Sequence, residues 1–178
     1  FAAQHVVVGT VRGRFNTMTG AAVAGNDPLS SRVDVVIEAA SLDTQNDPRD
    51  AELRGPDFFD VTAFPRIEYH GTGFRRVGEG WIVDGSLTIR GVAREVPLEL
   101  VFKGTAPPQA GKPSRIAVHA TAAVKRADFG MTRGLLDEIG MVSAKPDVRI
   151  EIDAEFLAEA QRSVPGKPAH QSKLLERR

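Results

Sequence analysis

Imidazole is the side chain best suited to ligating a metal or moving a proton near neutral pH, so the four histidines come first. His5, His70, His119 and His170 are scattered, with no pair at metal-ligand spacing and no His-Glu-x-x-His run. The chain has no Cys, which removes a thiolate metal site, a cysteine nucleophile and a disulfide framework. No Gly-x-Ser-x-Gly nucleophile turn occurs either. "DTQNDPRDAELR", from Asp43, superficially suggests a calcium loop, but Pro48 stands where the turn glycine belongs and Arg54 where the bidentate Glu belongs. "GTGFRR", from Gly71, starts like a phosphate loop and lacks both the third Gly and a following helix. Asp50, Asp57 and Asp60 read as cap and turn residues, not as a hydrolytic set. What remains is apolar contact with local charge, which is binding chemistry.

That chemistry concentrates in "RDAELRGPDFFDVTAFP", Arg49 to Pro65. Phe58 and Phe59 lie between Asp57 and Asp60, and Phe64 follows, in a chain with one Trp and one Tyr. Two readings stay open: the phenylalanines line the entrance of a cavity, or they plug its end as core. Arg49 and Arg54 flank them, and a guanidinium fork matches phosphate oxygens well. The ordinary alternative, which the sequence favours, is a salt bridge with Asp50, Glu52, Asp57 or Asp60.

The elements that must position these residues are mostly strands. In "WIVDGSLTIR" Trp81, Val83, Gly85, Leu87 and Ile89 share one face, and Asp84, Ser86, Thr88 and Arg90 the other. The same alternation runs through Val96, Leu98, Leu100 and Phe102, through Ile116 to Val124, and through Val148 to Phe156. It is shorter at Val33, Val35 and Ile37 and at Ile67 and Tyr69, and looser at Val11, Gly13 and Phe15. Turn signals such as "GNDP", "RVGEG", "RGVAR" and "TAPPQAGKP" separate the runs. About seven strands with short connections and one apolar face each give an antiparallel barrel or sandwich. One short helix is expected in "NDPRDAELRG", capped by Asn46 or Asp47, stopped at Gly55, and docked through Ala51 and Leu53.

Composition narrows the partners. Lys plus Arg and Asp plus Glu both number 23, so no global field draws nucleic acid or an anionic membrane. No apolar run approaches the roughly 20 residues of a membrane-spanning helix. Residues 1–157 read as one domain, and 158–178, which lose the alternation and gather Pro, Gly and charge, as a flexible polar tail. The chain opens on Phe1, and its methionines are Met18, Met131 and Met141, so an upstream segment is expected, either a removed signal peptide or a truncated natural chain.

Four blocks in order resemble the YceI-like family of lipocalin-like, polyisoprenoid-binding proteins. "FAAQHVVVGTVRGRF" carries Phe1, His5, Val11, Gly13 and Phe15 at the family's positions. "ASLDTQNDPRDAELRGPDFFDVTAFPRIEY", "GSLTIRGVAREVPL" and "KRADFGM" follow, so the resemblance spans nearly all of Phe1 to Phe156. Glu52 departs from the His that the family commonly has there, and the family's strand before this first block is absent, which predicts an open sheet edge. The resemblance implies an all-β, antiparallel lipocalin-like barrel of about eight strands with an apolar cavity. It implies no cofactor and no metal.

The implied function is non-catalytic binding, sequestration or transport of a long-chain isoprenoid lipid or quinone. The candidate ligand contacts are Phe15, Phe58, Phe59, Phe64, Ile67, Tyr69, Leu87, Ile89 and Phe129, with His5, Arg49 and Arg54 as candidates for the head group. The alternatives are a lipocalin-fold enzyme on a lipid-like substrate, or a filled barrel with an interaction role only. A homodimer is compatible with this reading. The cytoplasm is the expected location, with the periplasm or secretion as the alternative if a signal peptide has been removed.

Overall fold

The computed structural model describes residues 1–5, 9–109, 113–133 and 144–157. The proposed tail therefore lies outside the described residues. The first strands are β1 (Ala2–His5), β2 (Gly9–Arg12), β3 (Arg14–Phe15), β4 (Met18–Val23), β5 (Arg32–Glu38) and β6 (Leu42–Asp43). One helix, α1 (Asp47–Arg54), precedes β7 (Arg66–Val77), β8 (Gly80–Ile89), β9 (Val92–Glu95), β10 (Leu98–Ala106), β11 (Arg115–Lys125) and β12 (Ala144–Leu157). The main sheet is antiparallel in the order β2-β1-β12-β11-β10-β8-β7-β5-β4, with β9 paired to β8 and β3 to β6.

The two ends of this sheet, β2 and β4, are parts of one run of chain. Only residues 13–17 separate them, a reach of at most about 20 Å from Arg12 to Met18. Along that run the partner changes step by step. Gly13 and Phe1 exchange two hydrogen bonds at 3.0 and 2.8 Å, Phe15 pairs with Leu42, Asn16 donates to the Ser41 carbonyl, and the Thr17 carbonyl accepts from Glu38. Gly13 is needed at the crossing because a Cβ would lie 2.5 Å from the Phe1 ring and 2.7 Å from the Thr44 methyl. Asp43 braces the crossing by accepting from the Gln45 N–H, Arg14 and Asn16, which together hold its carboxyl below the usual range. Beyond the crossing, pairing among the described residues stops on one side. β12 pairs with β1 only between Ala144 and Arg149, and β4 pairs only with β5. Among the described residues no strand covers the other edge of β4 or of residues 150–157.

The core follows the alternation. Val83, Leu87 and Ile89 on β8, Ile67 and Tyr69 on β7, and Val96 and Leu98 are buried, while the intervening residues stay accessible. Phe102 corrects the expected pattern: it is 51 % exposed, because β10 has by then reached the hairpin end, where its ring meets Trp81 edge-on at 6.3 Å. Tyr69 ties the wall together. Its hydroxyl lies 3.0 Å from the Val83 carbonyl and 3.1 Å from the Val96 carbonyl, beside Pro97, which has no N–H to offer the ladder where β9 gives way to β10. The ring crosses Gly85, where a Cβ would sit 2.5 Å from the hydroxyl oxygen.

The helix is capped by Asn46, whose side chain accepts from the Arg49 N–H, and it ends at Gly55, as expected. Its docking face differs from the expectation. Ala51 is exposed and Leu53 half-buried, whereas Asp50 is 4 % exposed and accepts from both the N–H (3.0 Å) and hydroxyl (2.5 Å) of buried Thr44. A two-turn helix with little apolar surface is held by a polar clamp instead.

Burial raises the Tyr69 pKa, so the phenol favours the folded state below its ordinary pKa of about 10, and that stability is lost as pH climbs above it. Tyr69→Phe should lower stability by about 1–3 kcal/mol at neutral pH and flatten the alkaline decline, both read from denaturant titrations at several pH values. Gly85→Ala should be destabilising by a similar or larger amount, since the His70 carbonyl, 2.6 Å from the new Cβ, cannot move without disturbing the ladder. Asp50→Ala should lower the denaturation midpoint by the equivalent of about 2–4 kcal/mol, because the Thr44 donors lose a charged acceptor.

Candidate lipid-binding site

In an antiparallel meander, alternate connections fall at the same end of the sheet. The segment 39–65, the Arg90–Gly91 turn and the 3-10 helix Arg126–Phe129 therefore meet at one end, which they close. The hairpins joining β4 to β5, β7 to β8 and β10 to β11 stand at the opposite end.

The closed end is built around irregular backbone, whose carbonyls need donors because no strand supplies them. Arginines supply them. Arg49 donates through Nε to the Thr44 hydroxyl (2.8 Å) and through Nη2 to the Thr44 carbonyl (2.9 Å). Arg54 donates to the Ala40 carbonyl (3.0 Å) and to the Leu42 carbonyl. Arg90, held at φ 53°, reaches the Phe58 carbonyl at 2.7 Å. The favoured salt bridges of Arg49 and Arg54 with Asp50, Glu52, Asp57 or Asp60 are not formed; the two guanidiniums between them donate to the Thr44 hydroxyl and to the Thr44, Ala40 and Leu42 carbonyls instead. Asp57 pairs with Arg133.

This framework sets the phenylalanines. The 55–64 turn closes through the Asp60 N–H onto the Gly55 carbonyl (2.9 Å) and the Phe64 N–H onto the Asp60 carbonyl (2.8 Å). Phe59 then meets Phe15 edge-on, ring centres 5.6 Å apart, and Phe15 is 5.6 Å from Phe1. Phe15 and Phe59 pack against the same apolar cluster that contains Ile67, Tyr69, Leu87, Ile89 and Phe129, so the structure brings seven of the nine candidate contacts together. Phe58 is buried outside that cluster, and Phe64 is half-buried over Gly91. Of the head-group candidates, Arg49 and Arg54 are committed to protein carbonyls. The His5 backbone pairs opposite Ala144 and Gly9, and its side chain lies outside the described residues.

The inner face away from the cap is apolar and incompletely sealed. On β12 Ile150, Ile152 and Phe156 touch the core yet keep partial exposure. Met18, Gly20 and Ala22 on β4 pair with Ile37, Val35 and Val33, share their face, and are exposed. Sequence reasoning placed Ile150, Ile152, Phe156, Trp81 and Phe102 on strand faces without making them candidate contacts, and did not single out Met18, Gly20 or Ala22. Arg126, which the sequence reading placed in the "KRADFGM" block without giving it a role, lies two positions beyond inward-facing Val124. The Nε and Nη2 of Arg126 have no solvent contact and no hydrogen-bond partner among the described residues, and burial lowers its pKa. His70 and His119 sit on the outer face, 2.7 Å from Asp34 and 2.8 Å from Asp153. Among the described residues no cluster of His, Asp or Glu could hold a metal, and no helix is long and apolar enough to cross a membrane.

Comparison with known proteins agrees with this architecture. A UPF0312 protein of Yersinia pestis is 33% identical over 137 residues, covering 76% of this chain and 70% of that protein. The Campylobacter jejuni YCEI protein superposes with a TM-score of 0.72 at 26% identity, over 90% of this chain and 92% of its own. A polyisoprenoid binding domain from Saccharophagus degradans, implicated in plant cell wall breakdown, shares the fold with a TM-score of 0.64 at 18% identity, over 89% and 91% of the two chains. The YceI-like domain profile matches residues 1–156, and the chain belongs to the YceI-like family.

Proposed function

We propose that this protein is a non-catalytic carrier that holds the tail of a long-chain isoprenoid lipid or quinone along the inner face of its sheet. The observation that carries the reading is the inner face itself, apolar along its strands and closed at one end by the Phe15/Phe59 cap. Each buried CH₂ contributes about 0.8 kcal/mol, so a five-carbon isoprene unit is worth about 3 kcal/mol or more before ordering costs. Selectivity for a long, uniform chain follows from summing such units and needs no reactive group. The polyisoprenoid binding named for the Saccharophagus degradans domain points the same way.

Filling the lumen from its wall tests the reading. Ile152→Trp adds volume where the inner face is accessible, so the variant should fold with a thermal midpoint within a few degrees of wild type. Its uptake of a fluorescent polyprenyl lipid should fall at least severalfold. Glu99→Trp, on the outer face of β10, should leave uptake unchanged. Equal uptake by Ile152→Trp and wild type would contradict a tail lying along β12.

A further inference from the structure

The large apolar side chains left exposed are not spread evenly over the surface. Val23, Leu29, Val77, Val101, Phe102 and Leu157 all lie at the hairpin end, opposite the cap. Leu29, 67 % exposed, belongs to the 3-10 turn Pro28–Ser30 between β4 and β5, which packs beside Gly73 of β7. Val77, 53 % exposed, closes the β7–β8 hairpin opposite Gly80. β8 pairs with β10 no further out than Trp81 with Leu100, whereas β10 runs on, paired with β11 as far as Ala106 and Arg115. Residues 101–106 therefore project beyond their neighbour. Val101 and Phe102 point to opposite faces of that projection, and both are exposed. Trp81 meets Phe102 edge-on at its base. Cations border the same rim. Arg76 sits opposite Trp81 in the ladder, Lys103 follows Phe102, and Arg32 lies opposite Val23; all three are exposed and form no salt bridge among the described residues. Arg75 and Arg115 are balanced by Asp84 and Glu155, and the remaining acids on these turns are Asp27 and Glu79.

We propose that the hairpin end is a membrane-docking surface, with the β4–β5 and β7–β8 turns and the projecting end of β10 seated in the headgroup layer of a bilayer. A protein partner or a second copy covers one face of a projecting ribbon, whereas apolar groups on both of its faces are satisfied together by a medium that surrounds it. An indole suits this depth because its apolar body enters the acyl boundary while its N–H stays at the wet side. Exposed guanidinium and ammonium groups at the same level meet lipid phosphates. Arg32, Arg76 and Lys103 stand against Asp27 and Glu79, a local excess of one positive charge, so the contact is apolar first and electrostatic second. The choice of a bilayer as occupant also rests on the carrier reading above, since a long isoprenoid tail resides in lipid. The rows Val83–Trp81 and Leu98–Leu100–Phe102 carry the apolar inner face out to this rim, so the docked protein presents to the lipid the end of its inner face away from the cap.

Co-sedimentation with vesicles and the emission of Trp81 test this with no isoprenoid present. Wild type should bind phosphatidylcholine vesicles containing phosphatidylglycerol. Trp81, the only indole in the chain, should then emit at shorter wavelength and be quenched by lipids brominated near the headgroup. Omitting phosphatidylglycerol or adding salt should weaken binding only a few-fold. Val77→Asp and Phe102→Asp should each weaken it at least about tenfold, because a carboxylate resists leaving water. Ala51→Asp, the same change on the exposed face of α1 at the cap end, should bind as wild type. All three positions are exposed, so thermal midpoints should stay within a few degrees of wild type; if a variant fails to fold, quenching of wild-type Trp81 decides alone. Carriage reads out separately: Val77→Asp should accept polyprenyl lipid from detergent as wild type does, and from vesicles several times more slowly. Vesicle binding that survives both rim substitutions would overturn the docking surface, as would wild type that takes polyprenyl lipid from detergent yet binds no vesicle. So would a wild-type dimer that the rim variants split, with no vesicle binding, which assigns the face to a second copy. Vesicle binding with no lipid uptake from any source contradicts the carrier reading and leaves the docking surface standing.

Discussion

Backbone carbonyls that no strand can satisfy govern the closed end of this protein, and the rest of the structure depends on how they are met. The 39–65 segment must cross the end of the sheet in irregular conformation, and an unsatisfied carbonyl there costs as much as a lost hydrogen bond. Arg49, Arg54 and Arg90 donate to Thr44, to Ala40 and Leu42, and to Phe58. With those carbonyls met, the segment can turn tightly enough to bring Phe59 against Phe15 beside the apolar cluster. Asp50 and Thr44 extend the same solution to a helix too short and too polar to dock by hydrophobic contact.

The wall obeys a related constraint. Where β9 gives way to β10 at Val96 and Pro97, the ladder loses a donor, and the Tyr69 hydroxyl reaches across Gly85 to replace it. The same ring adds apolar surface to the core cluster, so repair of the backbone and packing of the inner face fall to one residue. On the opposite side, β4 and residues 150–157 have one edge without a strand partner among the described residues, and the inner face is accessible there. The buried and accessible halves of the interior are thus a consequence of which strands have neighbours on both sides.

The parts legible in the sequence were those with a repeating signal. Period-two alternation in "WIVDGSLTIR" matches the buried row Val83, Leu87 and Ile89, and Asn46, Pro48 and Gly55 mark the helix ends. The cap contacts were not legible, because a backbone carbonyl has no residue type, and an arginine beside acids reads as an ion pair whether or not it makes one. Phe102 kept the alternation but ran past the end of the core, a boundary that only the closing geometry defines. Ala51 and Leu53 looked like the docking face of α1 on hydrophobicity alone, whereas the buried group is a carboxylate with two specific donors. Arg126 was legible as part of the "KRADFGM" block, but the burial of its Nε and Nη2 was not, because the strand pattern ends at Lys125 and the residue belongs to a turn.

The most direct measurement is mass spectrometry of an organic extract from natively purified protein, beside the intact mass of the same sample under native conditions. A carrier yields one long-chain isoprenoid species near one molecule per chain, chemically unchanged, with a matching mass increment on the native protein. Native protein at its bare chain mass, with an empty extract and no uptake of added polyprenyl lipid, would contradict the claim that the inner face exists to hold a tail.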